Sequence, residues 1–155
     1  MPNSRRAYWR ALEDYLRASD NADVVLHDLG FDYFRAIRIN GVPGETGNRW
    51  ILPHFAVVAT KQKRRVKAGN RVELVIRRPY YGHLAMREQR IRQEIPYILP
   101  PDPPIDDNET GHFEVWKPDN LERKDAWQTD FEWFVENLRL FHRVLRPLVL
   151  AALRR

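Results

Sequence analysis

The sequence predicts an α+β domain: an antiparallel sheet of about four strands packed against helices, in the order α-β-β-β-α-β-α, with a long C-terminal helix. Three observations predict it. Trp127, Phe131, Phe134, Leu138, Phe141, Leu145, Leu148 and Ala152 are spaced 4, 3, 4, 3, 4, 3 and 4, the apolar stripe of one long amphipathic helix. Val72, Leu74 and Ile76 alternate with Glu73, Val75 and Arg77 directly after the turn-forming run Lys67-Ala68-Gly69-Asn70, the pattern of a hairpin arm with one buried face. The 155 residues, 43% hydrophobic and 30% charged, suit a single domain that buries about two-thirds of its surface on folding.

The elements follow in order. Ser4 reads as an N-cap, and Tyr8, Trp9, Leu12, Tyr15 and Leu16 recur at helical spacing, which predicts a first helix over residues 5–18. A first strand is expected over 31–39, after Gly30. Residues 40–48 hold three of the seven glycines and read as a loop. A second strand is expected over 50–66, apolar in its first half and charged in its second. The third strand, 71–77, closes at Pro79-Tyr80-Tyr81-Gly82, and 83–95 is helix-compatible up to Pro96. Residues 99–108, with four prolines and three aspartates, read as an extended surface connection. A short strand over 113–116 precedes the long helix, in which Pro147 removes one hydrogen bond and predicts a kink felt near Arg143.

The absence of cysteine excludes disulfides, thiolate nucleophiles and Cys-based metal sites. No run reaches the ~18 apolar residues of a membrane span, and the N-terminus is not a signal peptide, so a cytoplasmic location is expected. The formal charge is +5, and 21 of the 26 basic residues are arginine. Placement says more than the total. Between Lys61 and Arg92 eleven basic residues face two acids, a local +9, whereas residues 102–114 carry five acids and no lysine or arginine. The surface is expected to be polarised.

Lys61, Lys63, Arg64, Arg65 and Lys67 are expected to protrude on a β-ribbon beyond the core. Together with Arg87 and Arg90 on the following helix, they form the candidate nucleic-acid-binding set: lysine and arginine meet phosphates without reading sequence, and Tyr80 and Tyr81 would offer stacking surfaces. The competing reading is a solvated edge whose lysines guard against edge-to-edge aggregation. The aromatic stripe of the last helix is expected to pack on the chain's own sheet; its alternative is a homodimer seam or a surface for a partner protein.

Catalytic patterns are weak. The one [D/E]-x-K run, Glu122-Arg123-Lys124, sits at a helix start, where a first-turn glutamate is favoured by the helix dipole. His112 and Glu114 point the same way on a strand and, with Asp106 or Asp107, would make a metal cluster. There is no Gly-x-Ser-x-Gly elbow and no glycine-rich phosphate loop after a strand. No cofactor and no hydrolytic activity are expected.

Taken together, the Tyr8-Trp9 opening helix, the Trp50 segment, Arg71-Val72-Glu73-Leu74-Val75-Ile76 with the Arg/Glu helix through Glu94, Glu114-Val115-Trp116, and the helix from Trp127 to Phe141 resemble a bacterial family, the domain of unknown function numbered 4268. Members often lie behind a restriction-nuclease-like domain. The resemblance implies an accessory, non-catalytic role in DNA metabolism or defence, and it brings no catalytic residues with it.

Overall fold

The computed structural model describes residues 4–42, 52–60, 68–105, 109–119 and 121–154. In chain order they form α1 (Ser4–Ala18), β1 (Phe34–Arg38), β2 (His54–Thr60), β3 (Gly69–Arg77), α2 (Arg78–Ala85), α3 (Glu88–Glu94), β4 (Thr110–Pro118) and, after a 3-10 turn at Lys124–Ala126, α4 (Trp127–Leu153). The sheet is an antiparallel meander, β1-β2-β3-β4. This is the α+β arrangement and element order that the sequence predicts.

Strand alternation divides the sheet into two faces. Phe55 and Val57 of β2, Val72, Leu74 and Ile76 of β3, and Phe113 and Val115 of β4 are buried on one of them. All four helices add side chains to the same core, among them Trp9, Leu84, Ile91, Phe134 and Phe141. The second face carries Phe34 and Ala36; His54, Ala56 and Val58; Arg71, Glu73 and Val75; and His112, Glu114 and Trp116, as the register requires. At one end of this face the Trp116 indole lies across Gly69, where a Cβ would come within 2.8 Å of the Lys117 carbonyl and closer still to the ring. Only glycine fits there.

Several boundaries differ from the sequence reading. Ser4 is the first residue of α1 itself rather than its cap. Phe31, Asp32 and Tyr33 turn instead of pairing, so β1 starts at Phe34. Within the described residues the second strand begins after the cis Leu52-Pro53 bond and pairs from His54 to Thr60; residues 61–67, expected as its charged half, lie outside them. Pro79 opens a helix rather than closing a strand, since its fixed φ and missing N–H suit a first turn. The helix expected over 83–95 is therefore two short ones, divided at Arg87, whose φ of −106° and ψ of 18° break the helical path. Leu84, Ile91 and Ile95 are all buried in the core.

The fourth strand spans nine residues instead of four because it pairs along the whole of β3. The Pro/Asp segment is extended, as expected, and it runs along the outer edge of β4. Leu99 N–H donates to the Glu114 carbonyl (2.9 Å), and Asp102 and His112 exchange backbone bonds (2.9 and 2.8 Å), which covers an edge otherwise open to pairing. α4 continues through Pro147 to Leu153 without interruption. In its last turns Val149, not Leu148, is fully buried; a straight helix of 3.6 residues per turn drifts off a strict heptad stripe by about 20° per heptad.

Candidate functional site

Of the basic set, only Arg87 and Arg90 lie among the described residues. Lys61, Lys63, Arg64, Arg65 and Lys67 lie outside the described residues, but the chain around them is pinned: Thr60 pairs with Gly69, and its Oγ1 donates to the Gly69 carbonyl at 3.1 Å. Arg87 and Arg90 are exposed and come after the other end of β3, between α2 and α3 and on α3. Tyr80 and Tyr81 are no stacking platform, because both pack against the core and Tyr81 lies 5.2 Å from the Phe113 ring.

Exposed rings stand instead at the end of the sheet where 61–67 departs. Phe31 and Tyr33 are 46% and 42% exposed. Phe31 stacks on Phe34 with centres 5.4 Å apart and 22° between planes, and Tyr33 lies 5.0 Å from Phe34. The Ala59 N–H donates to the Tyr33 carbonyl at 2.9 Å, which ties this aromatic turn to the last residues of β2. From beneath, the Arg35 guanidinium donates to the carbonyls of Phe31 (2.9 Å) and Phe34 (3.0 Å) and lies 5.4 Å over the Trp9 ring. Trp9 Nε1 donates to the Asp32 carbonyl at 2.7 Å. The turn starts at Gly30, whose φ of +94° favours glycine and whose N–H is accepted by Asp28 Oδ1 at 2.9 Å. Each ring is held by backbone that side chains have fixed, so little ordering remains to oppose a stacked ligand.

The same rings border a cavity of about 440 Å³ on the second face, lined mainly by apolar groups such as Ala56, Val58 and Val75, with Arg71, Glu73, His54 and His112 among its polar members. Glu73 and Glu114 are cross-strand neighbours. Arg71 Nη1 lies 3.8 Å from Glu73 Oε1 and 3.7 Å from Glu114 Oε2. Burial pushes the Glu73 carboxyl up to about 8, helped by its hydrogen bond to Glu114 and by that neighbour's charge, with Arg71 opposing. At neutral pH the pair therefore holds one proton and one negative charge, which Arg71 balances. Carboxyls in mutual contact leave no space for a substrate bond between them, unlike the separated acid pair of a glycosidase.

His112 and Glu114 share a face, as expected, but the aspartate beside His112 is Asp102, at 3.5 Å from Nδ1; Asp106 and Asp107 lie outside the described residues. Among the described residues no group of three or more histidine, aspartate or glutamate side chains is placed to hold a metal ion.

The proton on Glu73 has a measurable consequence. A carboxyl whose folded-state pKa is raised binds more protons in the native than in the unfolded chain between about 4.5 and about 8, so its contribution to stability is complete below that window and is lost as pH rises through it. The urea midpoint should fall between about pH 5 and about pH 9, and in Glu73→Gln, which keeps a donor toward Glu114 and cannot ionise, it should stay nearly level. A Glu73→Gln profile as steep as that of the parent would place the proton elsewhere.

Sequence reasoning missed the aromatic turn, because Phe31 and Tyr33 carry high strand propensity. It missed the carboxyl pair because Glu73 reads as an ordinary polar position of an alternating strand. Only the register across β3 and β4 puts Glu114 beside it.

No family model matches the chain, and neither a curated protein nor a solved structure is detectably similar to it. The resemblance to family 4268 accordingly rests on the sequence features alone.

Proposed function

We propose that the chain is a non-catalytic nucleic-acid-associated module that holds a single strand at the β1–β2 end of the second face. The observation that carries this reading is the pair of exposed, pre-positioned rings, Phe31 and Tyr33, joined through the Ala59–Tyr33 hydrogen bond to the strand end from which the basic segment 61–67 departs. Flat rings stack unpaired bases without regard to sequence, and nearby lysine and arginine meet the phosphates between them. Duplex bases are already stacked on one another and cannot use such rings, so the preference is for single strands. An accessory role in DNA metabolism or defence, as the family resemblance implies, is compatible with this chemistry.

The alternative, partner or homodimer binding through the aromatic stripe of α4, has less support. Phe131, Phe134, Leu138, Phe141 and Leu145 are buried inside the chain.

Fluorescence anisotropy with an oligothymidylate tests the proposal. Phe31→Ala with Tyr33→Ala should weaken binding by about 1–3 kcal/mol for each stacked base lost, with little change in the salt dependence. Lys63→Gln, Arg64→Gln and Arg65→Gln together should instead flatten the slope of log affinity against log salt by about 2, near 0.7 per phosphate contact on a single strand. Binding that is indifferent to both sets, or no binding at low salt, overturns the reading.

A further inference from the structure

The cavity of about 440 Å³ on the second face offers more than stacking on Phe31 and Tyr33 requires, and its volume lies in the ordinary range of small-molecule sites. Ala56 and Val58 of β2, Arg71, Glu73 and Val75 of β3, and His112 of β4 all line it. They occupy alternate positions of their strands in the observed register, so their side chains turn to this one face. Ala56 and Val58 are almost fully buried and form an apolar floor with Val75. Phe31 and Phe34, stacked on each other, stand at its β1 side. The hydrogen-bonding groups are gathered on one side: Arg71 and Glu73, two residues apart on β3, with Glu114 of β4 paired opposite Glu73. These three groups sum to zero charge, since the carboxyl pair holds one proton and one negative charge beside one guanidinium. Their bonding capacity is not used up among themselves. Arg71 Nη1 lies 3.8 and 3.7 Å from the two carboxyls, beyond hydrogen-bond distance, and a proton shared by two carboxyls leaves further oxygen lone pairs to accept.

From this juxtaposition we propose that the cavity takes one unpaired base of the held strand and favours guanine, with O6 accepting from Arg71 and with N1–H and the N2 amine donating to the Glu73–Glu114 carboxyls. The inference rests on the nucleic-acid reading and adds a base preference that stacking alone does not give. A neutral, planar ring suits an apolar floor beside a cluster without net charge. Guanine is the one base whose Watson–Crick edge sets two donors next to a single carbonyl acceptor, the complement of two carboxyls next to a guanidinium. Thymine brings one donor between two acceptors, cytosine one donor and two acceptors, and adenine one donor and one acceptor. Each of these leaves a carboxyl oxygen unpartnered or facing another acceptor, which a desolvated site penalises.

Fluorescence anisotropy of the intact chain tests it with four strands: an oligothymidylate, and the same strand with a central guanine, adenine or hypoxanthine. The guanine strand should bind about tenfold more tightly than the oligothymidylate, as a matched two-bond contact to a base edge does. Adenine, a purine of similar stacking surface, should bring no such gain, and hypoxanthine, which lacks the N2 amine, should lose most of it. The hypoxanthine comparison changes only the ligand, so it holds whatever a substitution does to the fold. In Glu73→Gln, which removes the pair's shared proton and charge, the ratio of guanine-strand to oligothymidylate affinity should fall to near one. A guanine strand no tighter than the oligothymidylate, equal gains from adenine or hypoxanthine, or an unchanged ratio in Glu73→Gln would each overturn the inference while the oligothymidylate affinity leaves the nucleic-acid reading standing. Failure of all four strands to bind at low salt overturns that reading and this inference with it.

Discussion

Truncating Phe134 to alanine should bring the domain to the edge of unfolding, at a cost of about 3–5 kcal/mol. The ring is fully buried at the centre of the helical layer, with ring centres of Tyr8 and Trp9 both at 6.4 Å and Trp133 at 5.7 Å. A cavity there adjoins large aromatic neighbours that cannot collapse into it, so the loss combines the transfer of the ring with the unfilled volume. Since domains of this size are stable by only about 5–15 kcal/mol, most of the margin goes. Urea denaturation followed by tryptophan fluorescence provides the check, with Phe134→Leu as the milder companion. Were the alanine variant to keep its midpoint and change only its sedimentation, α4 would be an interface rather than the core.

Asp130→Ala should cost nearly as much, about 3–5 kcal/mol, for a different reason. Asp130 is 1% exposed and accepts from Lys117 Nζ at 3.0 Å and from the Tyr8 hydroxyl at 3.1 Å. Asn70 Nδ2 in turn donates to that hydroxyl at 3.3 Å and to Asp119 Oδ2 at 3.2 Å. Burial, with the neighbouring Asp130 charge, holds the Tyr8 hydroxyl protonated far above its ordinary range, so it always donates. Removing the carboxylate strands a largely buried ammonium and leaves the Tyr8 hydroxyl without an acceptor for its proton, which is costlier than never having buried the pair. Replacing both partners, as Asp130→Leu with Lys117→Met, should therefore recover much of the loss in chemical denaturation. A double variant that is as damaged as the sum of the two single changes would contradict this reading of the network.

How far the sequence reaches depends on the range of the interaction. The α4 stripe and the β3 alternation are local repeats, and each element stands where its period puts it. At the ends of the stripe Trp127 and Leu148 are only partly buried against the core, and near Leu148 helical drift gives the fully buried position to Val149. The split between α2 and α3 was illegible because His83 to Ile95 satisfies helical spacing by itself; the break at Arg87 serves contacts with α4 and the sheet. Asp130 falls beside the apolar stripe and reads as a solvated charge, and it is buried because Lys117 and Tyr8, both remote in sequence, arrive at the same point. The candidate site has the same character. Its rings come from a turn that propensity reads as strand, and its carboxyl pair joins residues about forty apart in the chain.

The central claim, a single strand held over Phe31 and Tyr33 beside the basic segment, is tested most directly by mapping backbone-amide shifts of the labelled chain on addition of oligothymidylate. The account predicts shifts concentrated at residues 31–35, 56–60 and 69–73, with the Arg87 and Arg90 amides of the far end unmoved and with the same residues silent toward duplex DNA. Shifts that instead cluster around Arg87 and Arg90, or that are as large with duplex as with single strand, would contradict it.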